Sequence, residues 1–223
     1  MRNKILCNKS EIEQRIGEAK ARGGFSHDVR IVAVTKYRTI EETNAAIEVG
    51  LTDIGENYVQ QLKEKDPLLL PCRRHFIGHL QTNKVKALLS MKDLEMIQSV
   101  DSVHLAGEID KYSEKLGRTT QILLQVNIGD EAQKFGVDPA DTVALVKDVS
   151  GFGHLKIKGL MATMPIEKDI KLYKEFKDLF EKVKSLNVPG TDMQYLSMGM
   201  SNDFEEAVEC GSNMVRIGTA LFK

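Results

Sequence analysis

Cysteine is scarce and unpatterned: Cys7, Cys72 and Cys210 are odd in number, far apart and outside any CxxC or Cys/His spacing. That argues against a disulfide framework and a structural zinc site, and reduced, buried thiols are expected. An excess of one charge is missing as well. The 31 basic and 32 acidic residues leave a formal net charge of −1, so no long-range field recruits nucleic acid or an anionic membrane, and neither partner is expected. There is no signal-like apolar region near the N-terminus and no run long enough to span a bilayer, so a cytoplasmic location is expected. No Pro/Gly/Ser-rich linker, low-complexity tract or long-period repeat divides the chain. At 223 residues it can bury a substantial core without staples, and one domain over 1–223 is expected.

What is present is alternation. Short apolar or β-branched runs occur at Val29–Lys36, Asp53–Asn57, His75–His79, Met96–Val100, Gln121–Ile128, Ile157–Thr163, Gln194–Gly199 and Met214–Thr219. Most are separated by segments of helical spacing: Ile40–Val49, Asn83–Leu89, Val103–Leu116, Thr142–Val149, Ile170–Leu186 and Asp203–Cys210. Such alternation implies parallel strands with crossover helices, and eight strands in a chain of this length predict an α/β fold, a (β/α)8 TIM barrel. Met1–Gly24 reads as an extra N-terminal amphipathic helix. A doubly wound open sheet is the alternative.

In a barrel, chemistry belongs at the C-terminal ends of the strands, with a phosphate site expected after strands seven and eight. Lys36 closes the first apolar run with an amine, where burial would favour the neutral, nucleophilic form and make it a candidate Schiff-base lysine. The plain alternative is a strand-end lysine whose ammonium reaches water along its stem. After strand seven, Ser197-Met198-Gly199-Met200-Ser201-Asn202-Asp203 combines a glycine with a hydroxyl beside a helix start. Asn202 with Glu205 equally fits a capping box. Strand eight ends in Arg216-Ile217-Gly218-Thr219. A guanidinium in that apolar strand must find an acceptor, either a structural carboxylate or the ring nitrogen of a cofactor.

Other candidates read as structural. Gly151-Phe152-Gly153 lacks the third glycine of a dinucleotide fingerprint and precedes a strand. His75 and His79 lack further ligands at metal spacing, Lys84 and Lys86 fit a solvated helix face as well as an anion site, and Glu205, Glu206 and Glu209 read as surface.

Five segments in register carry a family resemblance: Val32-Ala33-Val34-Thr35-Lys36, Gly55-Glu56-Asn57-Tyr58, His75 through Lys84, Leu196 through Ser201, and Met214 through Thr219. Together they closely resemble the pyridoxal phosphate homeostasis protein family over nearly the whole chain. The resemblance implies a fold-type III barrel similar to the N-terminal domain of alanine racemase, with pyridoxal 5'-phosphate held as an aldimine on Lys36. It further implies Ser201, Gly218 and Thr219 at the phosphate, Arg216 facing the pyridine nitrogen, and Asn57 and Met200 lining the cofactor. No catalytic residue and no metal are implied. The chain departs from the family pattern at Tyr37-Arg38-Thr39, where a proline-containing turn is usual, and at Arg74, Phe135 and Asn202. Changes at Tyr37 and Arg74 are expected to flank the site.

The implied function is non-catalytic binding of pyridoxal 5'-phosphate in vitamin B6 homeostasis, with apo forms of pyridoxal phosphate enzymes as candidate recipients, and a monomer is expected. A small amino-acid racemase is the alternative. It would need an acid on each face of the bound substrate, for which only Tyr37 and Tyr58 lie near a strand's C-terminal end. A cofactor-free class I aldolase is a third reading.

Overall fold

The computed structural model describes residues 1–91, 93–129, 135–165, 167 and 169–223. In chain order the elements are α1 (Arg2–Gly23), β1 (Arg30–Val34), α2 (Ile40–Glu48), β2 (Asp53–Glu56), α3 (Val59–Lys65), β3 (Arg73–Phe76), α4 (Val85–Leu89), β4 (Leu94–Val100), α5 (Val103–Lys115), β5 (Thr120–Val126), α6 (Thr142–Ser150), β6 (Leu155–Ala162), α7 (Ile170–Ser185), β7 (Thr191–Met200), α8 (Phe204–Glu209), β8 (Met214–Ile217) and α9 (Thr219–Phe222). The strands close into a parallel barrel in sequence order, with β8 returning to pair with β1 through Val32 opposite Arg216. The architecture is therefore the (β/α)8 barrel expected from the alternation. Among the described residues no helix is long and apolar enough to cross a membrane.

The main apolar core lies between strands and helices, where Phe76, Ile97, Leu124, Tyr173 and Phe176 meet. A smaller layer of Val32, Met96, Leu123, Met161 and Met214 fills the barrel interior. Outside the β8–β1 seam, α1 buries Ile5, Ile12, Ile16 and Ala19 in a cluster that includes Phe204, Val208 and Leu221. Each fully buried isoleucine contributes about 1.5–3 kcal/mol of apolar burial, which gives this extra helix a fixed seat.

Several expectations are corrected. Glu205 and Glu209 are not simply solvated: Arg15 Nη2 lies 2.5 Å from Glu205 Oε1, and Arg22 Nε lies 2.9 Å from Glu209 Oε2, clasping α1 to α8. Helix α8 begins after Asp203, with no side-chain cap, so the Asn202–Glu205 capping box does not form. Strand β3 ends at Phe76, short of the end of the His75–His79 run, although Ile77 N–H still donates to Glu56 O at 2.9 Å. The short α3 went unpredicted, since its buried face holds only Val59, Leu62 and Lys65, too few positions to establish a period. Cys7 is exposed rather than buried, and all three cysteines are free.

Candidate functional site

Strand β1 stops at Val34, and the next residue, Thr35, is buried and tied down from three sides. Its N–H donates to Gly55 O at 2.9 Å, extending the pairing with β2, and its hydroxyl donates to Glu56 Oε1 at 3.0 Å. The buried Lys65 ammonium donates to Thr35 O at 2.8 Å and to Glu56 Oε1 at 2.5 Å. Lys36 follows this anchored residue. It is exposed and lies beyond the strand, so the expectation of a buried strand-end amine is corrected: the backbone is fixed while the side chain is open to the barrel mouth. Tyr37 then takes a left-handed backbone at φ 61°, which a non-glycine residue adopts only under constraint, and Arg38 N–H closes the turn onto Thr35 O. Thr39 and Glu42 form a reciprocal capping box at the start of α2.

From the second strand, Asn57 reaches the same mouth with a buried Oδ1 that accepts no hydrogen bond. The neighbouring turn leaves no room beside it, since a Cβ on Gly78 would stand 2.2 Å from Asn57 O. At the end of β7, Gly199 has φ 96°, and a Cβ there would meet Ala207 Cβ at 2.6 Å, so the loop lies directly on α8. Asp203 shapes the loop by accepting from Met200 N–H at 2.7 Å on one oxygen and from the Tyr173 hydroxyl at 2.9 Å on the other. Burial, and then the bond to Asp203, push the Tyr173 phenol well above its ordinary range. Tyr173→Phe is expected to cost about 1.5–3 kcal/mol, the usual contribution of a hydrogen bond to a charged group. Urea denaturation measures it, and an unchanged midpoint would count against this bracing role.

The Ser201 hydroxyl oxygen accepts from Gly218 N–H and Ala220 N–H, each at 3.2 Å, leaving its proton free to donate. Arg216, 4% exposed, donates to Ser197 Oγ at 2.7 Å and to Ala162 O at 2.8 Å. Neither partner is a carboxylate, so among the described residues the structural partner considered for it is not found, and Asp203 acts on it through space. Burial lowers the guanidinium from its ordinary value to about 10. A buried cation with neutral acceptors calls for an anionic or electron-rich ligand.

These side chains converge. Lys36, Asn57, Met200, Ser201, Arg216, Gly218 and Thr219 line one cavity of about 330 Å³, joined by Val34, Ile77, Thr163 and Asn202, which the sequence reading did not assign to it. The volume is in the range of small-ligand sites. Signals for the additional residues existed: each stands at or just past the C-terminal end of a barrel strand. Neither Tyr37 nor Tyr58 lines the cavity. Their hydroxyls bond each other at 2.8 Å outside it, and that bond, followed by burial, raises the Tyr37 phenol. Arg74 does not flank the site either, because Asp66 and Asp93 hold it at 2.5 and 2.9 Å on the outer side of β3. Phe135 stacks on His79 with centroids 3.6 Å apart.

The barrel and the cavity at its C-terminal mouth define the class: the chain belongs to the alanine racemase N-terminal domain family, whose model matches residues 8–223. Within that class it belongs with the pyridoxal phosphate homeostasis proteins. It is 43% identical over 213 residues to the one from Helicobacter pylori, covering 92% of each chain. To the Pasteurella multocida protein it is 34% identical over 227 residues, covering 98% of this chain and 96% of the relative. Among solved structures, PipY of Synechococcus elongatus PCC7942 with PLP bound superposes with a TM-score of 0.80 at 30% identity, covering 93% of this chain and 100% of PipY. Alanine racemase of Clostridium difficile 630 shares the fold at 13% identity and a TM-score of 0.75, over 93% of this chain and 54% of that one.

Proposed function

We propose that this chain binds pyridoxal 5'-phosphate in the cavity beside Lys36 and serves vitamin B6 homeostasis with little or no turnover. The observation that carries the reading is the convergence of an accessible amine, a free hydroxyl donor and a buried, uncompensated cation on one cavity. Pyridoxal 5'-phosphate supplies an aldehyde that condenses with a primary amine, releasing water. Lys36 is the amine, held in place by the Thr35–Glu56–Lys65 cluster beneath it. Ser201 donates its hydroxyl proton to the phosphate, with the Thr219 hydroxyl and the amide of Gly218 beside it. Arg216 directs its remaining N–H groups toward the ring nitrogen and, as a cation, keeps that nitrogen in its acceptor form. Asn57 and Met200 border the ring.

The tyrosine arrangement favours holding over racemisation. Exchange at Cα needs a proton donor within hydrogen-bond reach on each face, and among the described residues no tyrosine lines the cavity. In heavy water with excess alanine, incorporation of deuterium at Cα should stay below one equivalent per protein. Many equivalents would establish the racemase instead.

The same reading takes 1–223 as one domain and a monomer, since strands β1, β2, β3, β6, β7 and β8 of a single chain supply the cavity. A cytoplasmic location fits the free cysteines. Apo forms of pyridoxal phosphate enzymes are the proposed recipients, a role tested by timing their reconstitution against spontaneous cofactor release.

A further inference from the structure

The interior of a (β/α)8 barrel is ordinarily filled by branched apolar side chains. Here a file of polar groups crosses it. Ser197, which accepts from Arg216, donates its own proton to Gln98 Oε1 at 2.8 Å, stepping across the barrel from β7 to β4. Gln98 Nε2 lies 3.1 Å from His75 Nδ1 on β3, and His75 Nε2 lies 2.9 Å from Asp53 Oδ1 on β2. Ser197, Gln98 and His75 are fully buried, and Asp53 is 5% exposed. At the opposite mouth Arg73 grips Asp53 with Nε at 2.8 Å and Nη2 at 2.5 Å, and Arg30 stands 3.6 Å away.

The direction of every bond in this file follows from its charged end. Burial alone would raise the Asp53 carboxyl, but the hydrogen bonds from Arg73 and His75 outweigh it and hold the group well below the usual range. It is therefore acceptor-only, and His75 must present Nε2–H to it. With His75 in the neutral tautomer, Nδ1 is a lone pair that accepts a Gln98 N–H across the 3.1 Å contact. Gln98 must then turn its oxygen to Ser197, whose hydroxyl proton is committed there, and Ser197 is left with only lone pairs for Arg216. With His75 neutral, one carboxylate thus sets its tautomer, the amide orientation of Gln98 and the rotor of Ser197. Aligned hydrogen bonds of this kind polarise one another in a low-dielectric interior.

We infer that Asp53, acting through His75, Gln98 and Ser197, is the remote counter-charge that orients and stabilises Arg216, making all four positioning residues for the ligand that Arg216 meets. This rests on the proposed reading of the cavity as a pyridoxal 5'-phosphate site. The residues of the file do not line that cavity, so a role in ligand retention is not expected from contact alone.

The test titrates pyridoxal 5'-phosphate into the full chain and into Asp53→Asn, Gln98→Met, Ser197→Ala and Ser197→Thr, following the affinity, the visible absorption maximum of the bound cofactor and the melting temperature. Asp53→Asn, Gln98→Met and Ser197→Ala should each weaken binding about tenfold, the effect of losing one charge-assisted hydrogen bond. Each should also shift the absorption maximum, and Ser197→Thr, which keeps the hydroxyl, should restore both. Because the links act in series, Asp53→Asn combined with Ser197→Ala should bind no more weakly than Ser197→Ala alone. If Asp53→Asn fails to fold, the pair Gln98→Met and Ser197→Ala answers the same question. Wild-type affinity and absorption in folded variants, or effects that multiply in the double variant, would overturn the relay. Failure of the wild-type chain to bind would instead overturn the cofactor reading.

Discussion

Lys36→Ala abolishes the aldimine absorption band of protein mixed with pyridoxal 5'-phosphate and leaves only that of the free aldehyde; this is the largest effect expected. The side chain is exposed, so its truncation should leave stability within about 0.5 kcal/mol, and the change in binding then reads the chemistry alone. Borohydride treatment of the wild-type complex should fix one equivalent of cofactor on the peptide containing Lys36. In the variant no label should be retained, while weak, reversible binding persists through Ser201, Thr219 and Arg216. Label on another lysine would sink the assignment. Lys65 is the informative control, because its ammonium is buried and already committed to Thr35 and Glu56.

Arg216→Met should separate stability from binding. With its folded-state value depressed to about 10, the charged guanidinium penalises folding by about 3 kcal/mol. The sign follows from the direction: the folded state releases this proton first, so the penalty is fully present below about pH 10 and is relieved as pH rises above it. Methionine removes that penalty but leaves Ser197 Oγ and Ala162 O without their donor, at about 1–3 kcal/mol each. The two effects nearly cancel. The apo variant should therefore melt close to wild type or somewhat lower, while cofactor affinity falls roughly 10- to 100-fold through the lost charge-assisted bond. A large loss of stability with unchanged affinity would show Arg216 to be a structural residue and would remove the support it lends to the site.

The cavity was legible in the sequence to the extent that its residues stand in strand-end motifs. Strand periodicity alone puts Arg216 and Gly218, two residues apart, on one side of the line continued from β8. What misled was reading apolar runs as strand throughout: the run from Val29 carried Lys36 into β1, although Thr35 is already held as a loop residue by the side chains of Glu56 and Lys65. That cluster joins positions 21 and 30 residues apart, and no local pattern announces it.

Sequence by itself determined the eight-fold alternation, hence the parallel barrel, and the chemistry available at its rim, because side-chain period and residue type are local properties of the chain. Only the tertiary structure decided that among the described residues Arg216 bonds no carboxylate, that Tyr37 and Tyr58 satisfy each other away from the cavity, and that a file of hydrogen bonds joins Asp53 to Arg216 across the barrel. The physical reason is closure. Bending the sheet until β8 meets β1 brings strands distant in sequence face to face, and a hydrogen bond such as Ser197 to Gln98, 99 residues apart, exists only once that happens.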